Sequence, residues 1–235
     1  MKIAILGYGK MGKEIEKVSL EKGHEITLKV DKNFIGKINS DIDVAINFCT
    51  PETAFENISM ALNNRIPVVS GTTGWLSNYS KVVELSKKKQ TSFLYSANFS
   101  LGVNLFFELN KKLTKMMNNH DDYNLTIKET HHQMKKDNPS GTALKLVEDI
   151  IQNSKHTSWS KTKKNNSIYV ESIRKNLIPG THVVKYSSEI DEIKIIHKAK
   201  NRKGFATGAV IAAEWIQDKK GVFGMNDVIN DIKMK

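Results

Sequence analysis

The chain has 235 residues, and its 36 lysine and arginine side chains outnumber its 25 acidic ones to give a net charge of +11. A hydrophobic content of 39% is typical of a globular protein with a buried core. No apolar run is long enough to span a membrane, and no aromatic side chains interleave with the basic runs to stack on bases, so we expect neither a membrane nor a nucleic-acid partner. The single cysteine, Cys49, excludes an internal disulfide framework and favours a cytoplasmic protein.

The chain begins with a predicted strand over 2–6, a glycine-rich turn and a predicted helix over 13–22. The turn has the spacing Gly-x-Gly-x-x-Gly between strand and helix, which is the fingerprint of a dinucleotide site. Glycines there permit a tight turn and close approach of a pyrophosphate to the backbone. The candidate cofactor-binding residues of this turn are Gly7, Tyr8, Gly9, Lys10, Met11 and Gly12.

A second predicted strand, over 25–30, ends in Asp31 and Lys32. Asp31 lies about 20 residues beyond the glycines, where an acidic side chain binds the adenosine ribose hydroxyls. Lys32 is placed to meet a 2′-phosphate instead. The pair therefore leaves the choice between NADH and NADPH open, and both residues are candidate cofactor ligands.

Alternating strands and helices continue to residue 100. Strands are predicted over 43–49, 67–70 and 91–95, with helices over 54–63 and 79–89 between them. This rhythm predicts a parallel sheet, whose ligands bind at the carboxyl ends of the strands. Two polar segments follow such ends, Gly71-Thr72-Thr73-Gly74 and Ser96-Ala97-Asn98-Phe99-Ser100.

The pattern changes after residue 100. A long helix is predicted over 101–117, with Leu105, Phe106, Leu109 and Leu113 on one face. Strands over 167–174, 182–188 and 192–198 follow without crossover helices, and a last long helix is predicted over 205–217. We therefore expect an α/β protein: a Rossmann dinucleotide-binding domain of residues 1–100 plus 206–235, and an α+β substrate-binding and oligomerisation domain of residues 101–205 with a largely open sheet.

The segment 129–143 concentrates polar chemistry between a predicted strand over 123–129 and a predicted helix over 141–153. Because apolar side chains are almost missing from it, we expect it to lie outside the core. Ser140, Gly141 and Thr142 fall at the helix N-terminus, which favours an anion. His131 and His132 titrate near neutral pH, and Lys135 supplies a cation or a proton.

These residues predict a site where a small anion is bound and a proton is moved. We expect no metal there, because adjacent histidines project differently and no third ligand cluster is evident in the sequence.

The motif Glu-x-His-His-x-x-Lys-x-Asp-x-Pro-Ser-Gly-Thr-Ala, over 129–143, resembles the signature of the 4-hydroxy-tetrahydrodipicolinate reductase (dihydrodipicolinate reductase) family of lysine biosynthesis. The likeness runs from end to end, through Lys10-Met11-Gly12, Gly71-Thr72-Thr73-Gly74 and the run 96–104. Two departures are a glycine loop shorter by one residue and Cys49 interposed after Phe48.

The resemblance implies an NADH- or NADPH-dependent reductase of a cyclic dicarboxylate that assembles as a homotetramer through its second domain. It implies that His131 and Lys135 are the proton-donor candidates, that His132 contacts substrate, and that the start of the helix at Ser140, Gly141 and Thr142 holds a carboxylate. It places on the nicotinamide side the residues Gly71, Thr72, Thr73, Ser96, Ala97, Asn98 and Phe99. Arg202 is either a ligand contact or a cation at a helix start.

Two alternatives stay open at this stage. Another two-domain nicotinamide oxidoreductase would share the glycine-rich turn but not the segment 129–143. A non-enzymatic redox regulator or a basic nucleic-acid binder would need a recognition motif, and we find none in the sequence.

Overall fold

A computed structural model describes residues 1–31, 34, 36, 38, 41–164 and 167–233, so the predicted cofactor residue Lys32 lies outside the described residues. The chain divides into two compact units, Met1–Leu101 with Arg202–Lys235 and Gly102–Asn201. In the part of the chain that is described, no helix combines the length and the apolar character that a membrane crossing requires.

The first unit is built on a parallel sheet with the strand order β11-β5-β4-β3-β1-β2 over the described residues. Its inner strands β1, β3 and β4 are buried along almost their whole length because helices cover both faces of the sheet. In β1, for example, Ile3 and Ile5 enter one core and Ala4 and Leu6 enter the other. The strands are β1 (Lys2–Leu6), β2 (Glu25–Val30), β3 (Val44–Asn47), β4 (Val68–Ser70), β5 (Ser92–Tyr95) and β11 (Gly221–Phe223).

Five helices of the first unit divide between the two faces. The core on one face contains residues of α1 (Lys10–Glu21), α6 (Lys203–Ile216) and α7 (Met225–Lys233). The core on the other face contains residues of α2 (Pro51–Asn63) and α3 (Tyr79–Lys89). This three-layer arrangement confirms the predicted Rossmann fold.

The direction of the chain reverses around β1. It leaves β1 for β2 at one edge of the sheet and returns across β1 to β3 on the other side. Such a switch point opens a crevice at the carboxyl ends of the strands, where doubly wound sheets bind ligands. The glycine-rich turn and the segment after β3 both lie at that end.

The second unit is a mixed sheet with the order β10-β9-β6-β8-β7 over the described residues. Strand β6 pairs in parallel with β8 and antiparallel with β9, and β9 pairs with β10. Helices α4 and α5 pack on one face, which confirms the predicted α+β arrangement. The elements are α4 (Leu101–Met117), β6 (Asn124–His131), α5 (Gly141–Asn153), β7 (Trp159–Ser160), β8 (Ile168–Arg174), β9 (Gly180–Ser187) and β10 (Glu192–Ala199).

The predicted apolar face of α4 is partly wrong. Leu105 and Leu109 are 41% and 49% exposed, although the helix itself has the predicted bounds. The buried face instead includes Asn110 and Thr114. These polar groups tolerate burial because Asn110 donates to the Leu146 carbonyl and the Thr114 hydroxyl lies 3.0 Å from that of Tyr186.

Candidate active site

The turn between β1 and α1 is shaped by two glycines that accept no side chain. Gly7 has φ +102°, and a Cβ there would lie 2.3 Å from the Phe48 carbonyl oxygen. A Cβ at Gly12 would lie 2.3 Å from the Gly7 carbonyl oxygen. The middle glycine, Gly9, has no described atom within 4 Å of the corresponding position. The backbone therefore packs closely against the protein at Gly7 and Gly12 and is open at Gly9. A phosphate cradle, a loop that binds a phosphate through its backbone, requires this combination.

The other predicted residues of this turn surround the cradle. Helix α1 begins at Lys10 rather than at residue 13, because Gly9 already takes the N-cap position. Lys10 is exposed and Met11 is partly buried. The Tyr8 hydroxyl hydrogen-bonds the Glu16 carboxylate, and the Lys29 ammonium lies 5.0 Å from the centroid of the Tyr8 ring.

Asp31 lies next to the cradle at the end of β2. Its predecessor Val30 accepts hydrogen bonds from the backbone N–H groups of Gly7 and Tyr8, at 2.9 and 3.1 Å. Asp31 is exposed and follows directly. The structure thus brings the predicted ribose-binding acid to the glycine-rich turn.

The segments after β3, β4 and β5 form the other wall of the crevice. Asn47 is buried and donates to the Ser70 and Thr72 hydroxyls, at 3.0 and 3.3 Å. Thr72 also accepts the Cys49 N–H at 3.0 Å, so its side chain is occupied in holding two loops together. A Cβ at Gly71 would lie 2.2 Å from the tip of the Phe48 ring, so any other residue there would have to displace that ring.

The predicted nicotinamide-side residues differ in accessibility. Thr73 and Ala97 are exposed, whereas Phe99 is 1% exposed and packs on Phe48 with ring centroids 5.7 Å apart. The Ser96 hydroxyl and Asn98 hydrogen-bond within the same turn. Buried side chains such as Phe99 therefore determine the shape of this wall. The exposed residues and the backbone are the groups available for polar contacts with a ligand.

The loop between β6 and α5 carries the second set of predicted residues. Ser140 is the N-cap of α5, and its hydroxyl accepts the Ala143 N–H at 3.2 Å. Gly141 is exposed and Thr142 is half-buried. Among the described residues, the backbone N–H groups of Gly141 and Thr142 have no hydrogen-bond partner. Together with the helix dipole they form a binding position for a carboxylate.

The expectation that this segment lies outside the core is wrong for five of its residues, which include Pro139 and Ala143 and three polar residues. Glu129 is fully buried, and His131 and Ser140 are 6% and 2% exposed. The alternation of β6 places Glu129 and His131 on the same face as Leu125 and Ile127, which belong to the core of the second unit. Their polar groups tolerate burial because they contact each other.

Glu129 is at the centre of these contacts. Its two carboxylate oxygens accept the Ser140 N–H at 3.0 and 3.2 Å, and the Arg174 guanidinium donates to Oε1 at 3.1 Å. Burial opposes ionisation of this carboxyl most strongly, but the hydrogen-bonding groups of His182 and Ser140 hold its pKa well below the usual range. Glu129 is therefore a buried carboxylate.

Two imidazoles lie on the other side of Glu129. His131 Nδ1 and His182 Nε2 are 3.5 and 3.6 Å from its Oε2, and the two rings meet edge to face with centroids 4.9 Å apart. Burial, reinforced by His182, Lys135 and Arg174, lowers the pKa of His131 to about 4 against the opposing effect of Glu129. At neutral pH the His131 ring is therefore uncharged.

Lys135 and His132 lie beyond the strand end and are half-buried. The Lys135 ammonium pairs with the Asp137 carboxylate at 2.8 Å. The Arg174 guanidinium fixes this part of the loop, because it also donates to the carbonyls of Lys135 and Asp137. The positions of the loop cations thus depend on the same arginine that contacts Glu129.

Sequence reasoning noted that Gly180-Thr181-His182 resembles a turn of the family's substrate domain, but it gave neither His182 nor Arg174 a role in the site. Both lie on strands that flank β6, and His182 occupies a core-facing position of the alternating strand β9. A histidine at an inward position of a strand was the available signal.

The three groups Glu129, His131 and His182 offer donor atoms within 4.8 Å of one another. We assign Glu129 and His182 to hydrogen bonding, because Arg174 and the Ser140 N–H already occupy the carboxylate and His182 Nε2 lies 3.2 Å from the Ser140 hydroxyl.

The chain matches two family models along almost its whole length. The model described as "Dihydrodipicolinate reductase, N-terminus" matches residues 1–99, and that described as "Dihydrodipicolinate reductase, C-terminus" matches residues 102–229.

Relatives and solved structures agree with these matches. The 4-hydroxy-tetrahydrodipicolinate reductase of Christiangramia forsetii is 49% identical over 99% of each chain, and that of Thermosipho africanus is 37% identical over 98% of this chain and 99% of the relative. A dipicolinate-bound dihydrodipicolinate reductase from Paenisporosarcina sp. TG-14 shares the fold with a TM-score of 0.77, at 21% identity over 97% and 98% of the two chains. The chain belongs to the dihydrodipicolinate reductase family.

Proposed function

We propose that the protein reduces 4-hydroxy-tetrahydrodipicolinate (dihydrodipicolinate) to tetrahydrodipicolinate with NADH or NADPH, in the diaminopimelate route of lysine biosynthesis. The observation that carries this proposal is the β6–α5 loop, where His131, His132 and Lys135 precede a helix N-terminus with two amides that have no partner among the described residues. An anion position beside proton-bearing groups suits a dicarboxylate that must be protonated as it is reduced. The relatives named above support the assignment.

The substrate is assigned to two kinds of group. The N–H groups of Gly141 and Thr142, with the dipole of α5 behind them, bind one carboxylate, and Ser140 holds the first turn in place. His132 contacts the substrate from the strand end. Neither the amides nor the dipole titrates, so this part of the binding site is independent of pH in the physiological range.

The proton is assigned to Lys135. Reduction of an unsaturated ring adds a hydride to one carbon and a proton to its neighbour, so a positioned acid is required. With a pKa of about 4, the His131 imidazole is uncharged at neutral pH, which leaves Lys135 as the cationic acid of this pair. Lys135 carries an ammonium on a loop that Arg174 fixes, and water restores its proton after each turnover.

The cofactor is assigned to the crevice of the first unit. The fit rests on Gly7 and Gly12, whose missing side chains permit the tight turn, and on Gly9, where open space leaves the start of α1 accessible to a pyrophosphate. Asp31 is assigned to the ribose hydroxyls, and Lys32 to a 2′-phosphate when NADPH binds. The nicotinamide side is assigned to 71–73 and 96–99. When bound, the reduced nicotinamide supplies the hydride.

We propose a homotetramer in the cytoplasm. Strand β10 is the edge of its sheet, and Ile196 on it is 60% exposed. An apolar side chain on an unpaired edge strand favours contact with another copy of the chain. The proposal includes no membrane, nucleic-acid or metal partner.

A synthase-coupled assay tests the activity. A synthase condenses pyruvate with aspartate semialdehyde in the cuvette, and the loss of reduced-nicotinamide absorbance is followed with NADH and NADPH separately. Oxidation that depends on the synthase is expected, and the two rates give the cofactor preference. Folded protein that oxidises neither cofactor would contradict the proposal. The β6–α5 loop would then be an anion site without an assigned reaction.

A further inference from the structure

We infer that Glu129 is a positioning residue, which fixes the carboxylate-binding end of α5 and the proton-donating loop relative to each other. The inference rests on the proposed function and adds a role for a side chain that is fully buried. Glu129 lies on β6, which is flanked by β8 and β9, so its backbone is held on both sides by the sheet. A rigid strand is a suitable base for positioning loop residues.

The first connection runs from Glu129 to the start of α5. Both carboxylate oxygens accept the N–H of Ser140, the residue that caps the helix. It immediately precedes Gly141 and Thr142, whose amides are unpaired within the part of the chain that the structure describes. His182 supports the same cap, because its Nε2 lies 3.2 Å from the Ser140 hydroxyl. The charged hydrogen bond between Glu129 on β6 and the Ser140 N–H therefore fixes where α5 presents its binding position for the substrate carboxylate.

The second connection runs through Arg174 to Lys135. One guanidinium contacts Glu129 Oε1 at 3.1 Å and donates from Nε to the Lys135 carbonyl at 3.3 Å. It also donates to the Asp137 carbonyl. The arginine thus holds the backbone on both sides of Lys136 while Glu129 holds the arginine.

The third connection runs to the ring of His131. Its Nδ1 faces Glu129 Oε2, and its edge packs against His182. On the remaining side, a Cβ at Gly180 would lie only 3.0 Å from His131 Nε2, so the glycine leaves the space that the ring occupies. The charged and titratable groups that face His131 are Glu129, His182, Lys135 and Arg174.

Removing the charge of Glu129 should loosen all three connections at once. In the Glu129→Gln variant the side chain has one acceptor oxygen in place of two, and its NH₂ group faces the Ser140 N–H donor in either orientation of the amide. The carboxylate position and the donor loop would then shift independently. Displacements of about 1 Å at such positions reduce activity by on the order of 10–100-fold.

The test compares Glu129→Gln with the wild-type full chain in three measurements: the dissociation constant of dipicolinate with NADH present, the kcat and KM of the coupled assay over pH, and the dissociation constant of NADH alone. We expect dipicolinate binding weakened and kcat lowered, each on the order of 10-fold or more, with NADH affinity within about 2-fold. Asp149→Asn is the matched control, because Asp149 is also a buried, ion-paired carboxylate of the second unit, on α5.

A second variant covers the case in which Glu129→Gln does not fold. Arg174→Lys keeps the charge but loses the forked contact with the loop carbonyls, so we expect kcat to fall by on the order of 10-fold with dipicolinate affinity nearly unchanged. If the wild type is active and both variants have kcat values within about 2-fold of it, the inference is overturned. A loss of kcat and dipicolinate affinity in Asp149→Asn equal to that in Glu129→Gln would also overturn it. Wild-type protein that neither binds dipicolinate nor turns over would contradict the proposed function itself.

Discussion

Replacing Lys135 by alanine separates the chemical role of this residue from its structural one. The lysine side chain is 25% exposed and its partner Asp137 is 53% exposed, so their ion pair is largely solvated. Such pairs contribute about 0.2–1 kcal/mol to the free energy of unfolding. We therefore expect Lys135→Ala to lower the melting temperature by about 4 °C at most, since 1 kcal/mol corresponds to about 2–4 °C in a chain of this size.

The expected kinetic effect is larger. A positioned general acid contributes roughly 10²–10⁴-fold to a rate, which corresponds to about 3–5 kcal/mol of activation free energy. Lys135→Ala should therefore lose about 100-fold or more in kcat while its NADH affinity stays unchanged, because the assigned cofactor residues lie in the first unit. The assay is the synthase-coupled oxidation of NADH, with cofactor affinity measured separately by fluorescence.

The neighbouring lysine supplies the control. Lys136 is exposed and carries the same charge one residue away, so Lys136→Ala should stay within about 2-fold of wild type if position rather than net charge decides. A Lys135→Ala variant that keeps more than a third of the wild-type kcat would refute the assignment of the proton donor. A variant that loses NADH binding would refute the assigned role in the same way.

Three further predictions concern the cradle, the buried histidine and the edge strand. Gly7→Ala should weaken NADH binding at least roughly 10-fold by calorimetry, because the position has φ +102° and the added methyl group would lie 2.3 Å from the Phe48 carbonyl oxygen. His131→Gln should flatten the fall in unfolding free energy between pH 7 and pH 4.5, since an ordinary histidine of the unfolded chain binds a proton near pH 6.5 and the folded one only near pH 4. The difference between wild type and variant should change by about 2 kcal/mol over that range in urea titrations. Ile196→Asp should shift the sedimentation coefficient toward smaller species, because it places a charge on the proposed contact strand.

Each of these variants has a counterpart elsewhere in the chain. Gly23 also has a positive φ, but a Cβ there meets no described atom within 4 Å, so Gly23→Ala should keep its NADH affinity. His120→Gln, at an exposed histidine, should leave the pH dependence of stability as in wild type. Leu20→Asp, at a 54% exposed leucine of α1, should leave the assembly intact. Equal effects in a variant and its counterpart would count against the corresponding prediction.

The Rossmann unit was predictable because its signals are local. The glycine spacing after β1 reflects contacts between residues close in the sequence, such as the close approach of Gly12 to Gly7. A short apolar run such as β3 is typical of a strand covered on both faces. The start of α5 at Gly141 was equally predictable, since serine is strongly preferred at the N-cap position that Ser140 occupies.

The network around Glu129 was not predictable from the same signals. Its members come from strands that are distant in the sequence, and the registers that pair Glu129 with His182 and with Ser172, two residues before Arg174, are set by the packed sheet. The buried face of α4 was missed for a related reason. Asn110 and Thr114 are polar, and only their partners on α5 and β9 make them core residues.

The central claim is that this protein transfers a hydride from the cofactor to a ring carbon of the dicarboxylate. The most direct test uses NADH deuterated at both positions of nicotinamide C4, with the substrate generated by the synthase and the product analysed by mass spectrometry. We expect tetrahydrodipicolinate carrying one deuterium, formed only when protein, synthase and cofactor are all present. Product without deuterium, or no product from folded protein, would contradict the account.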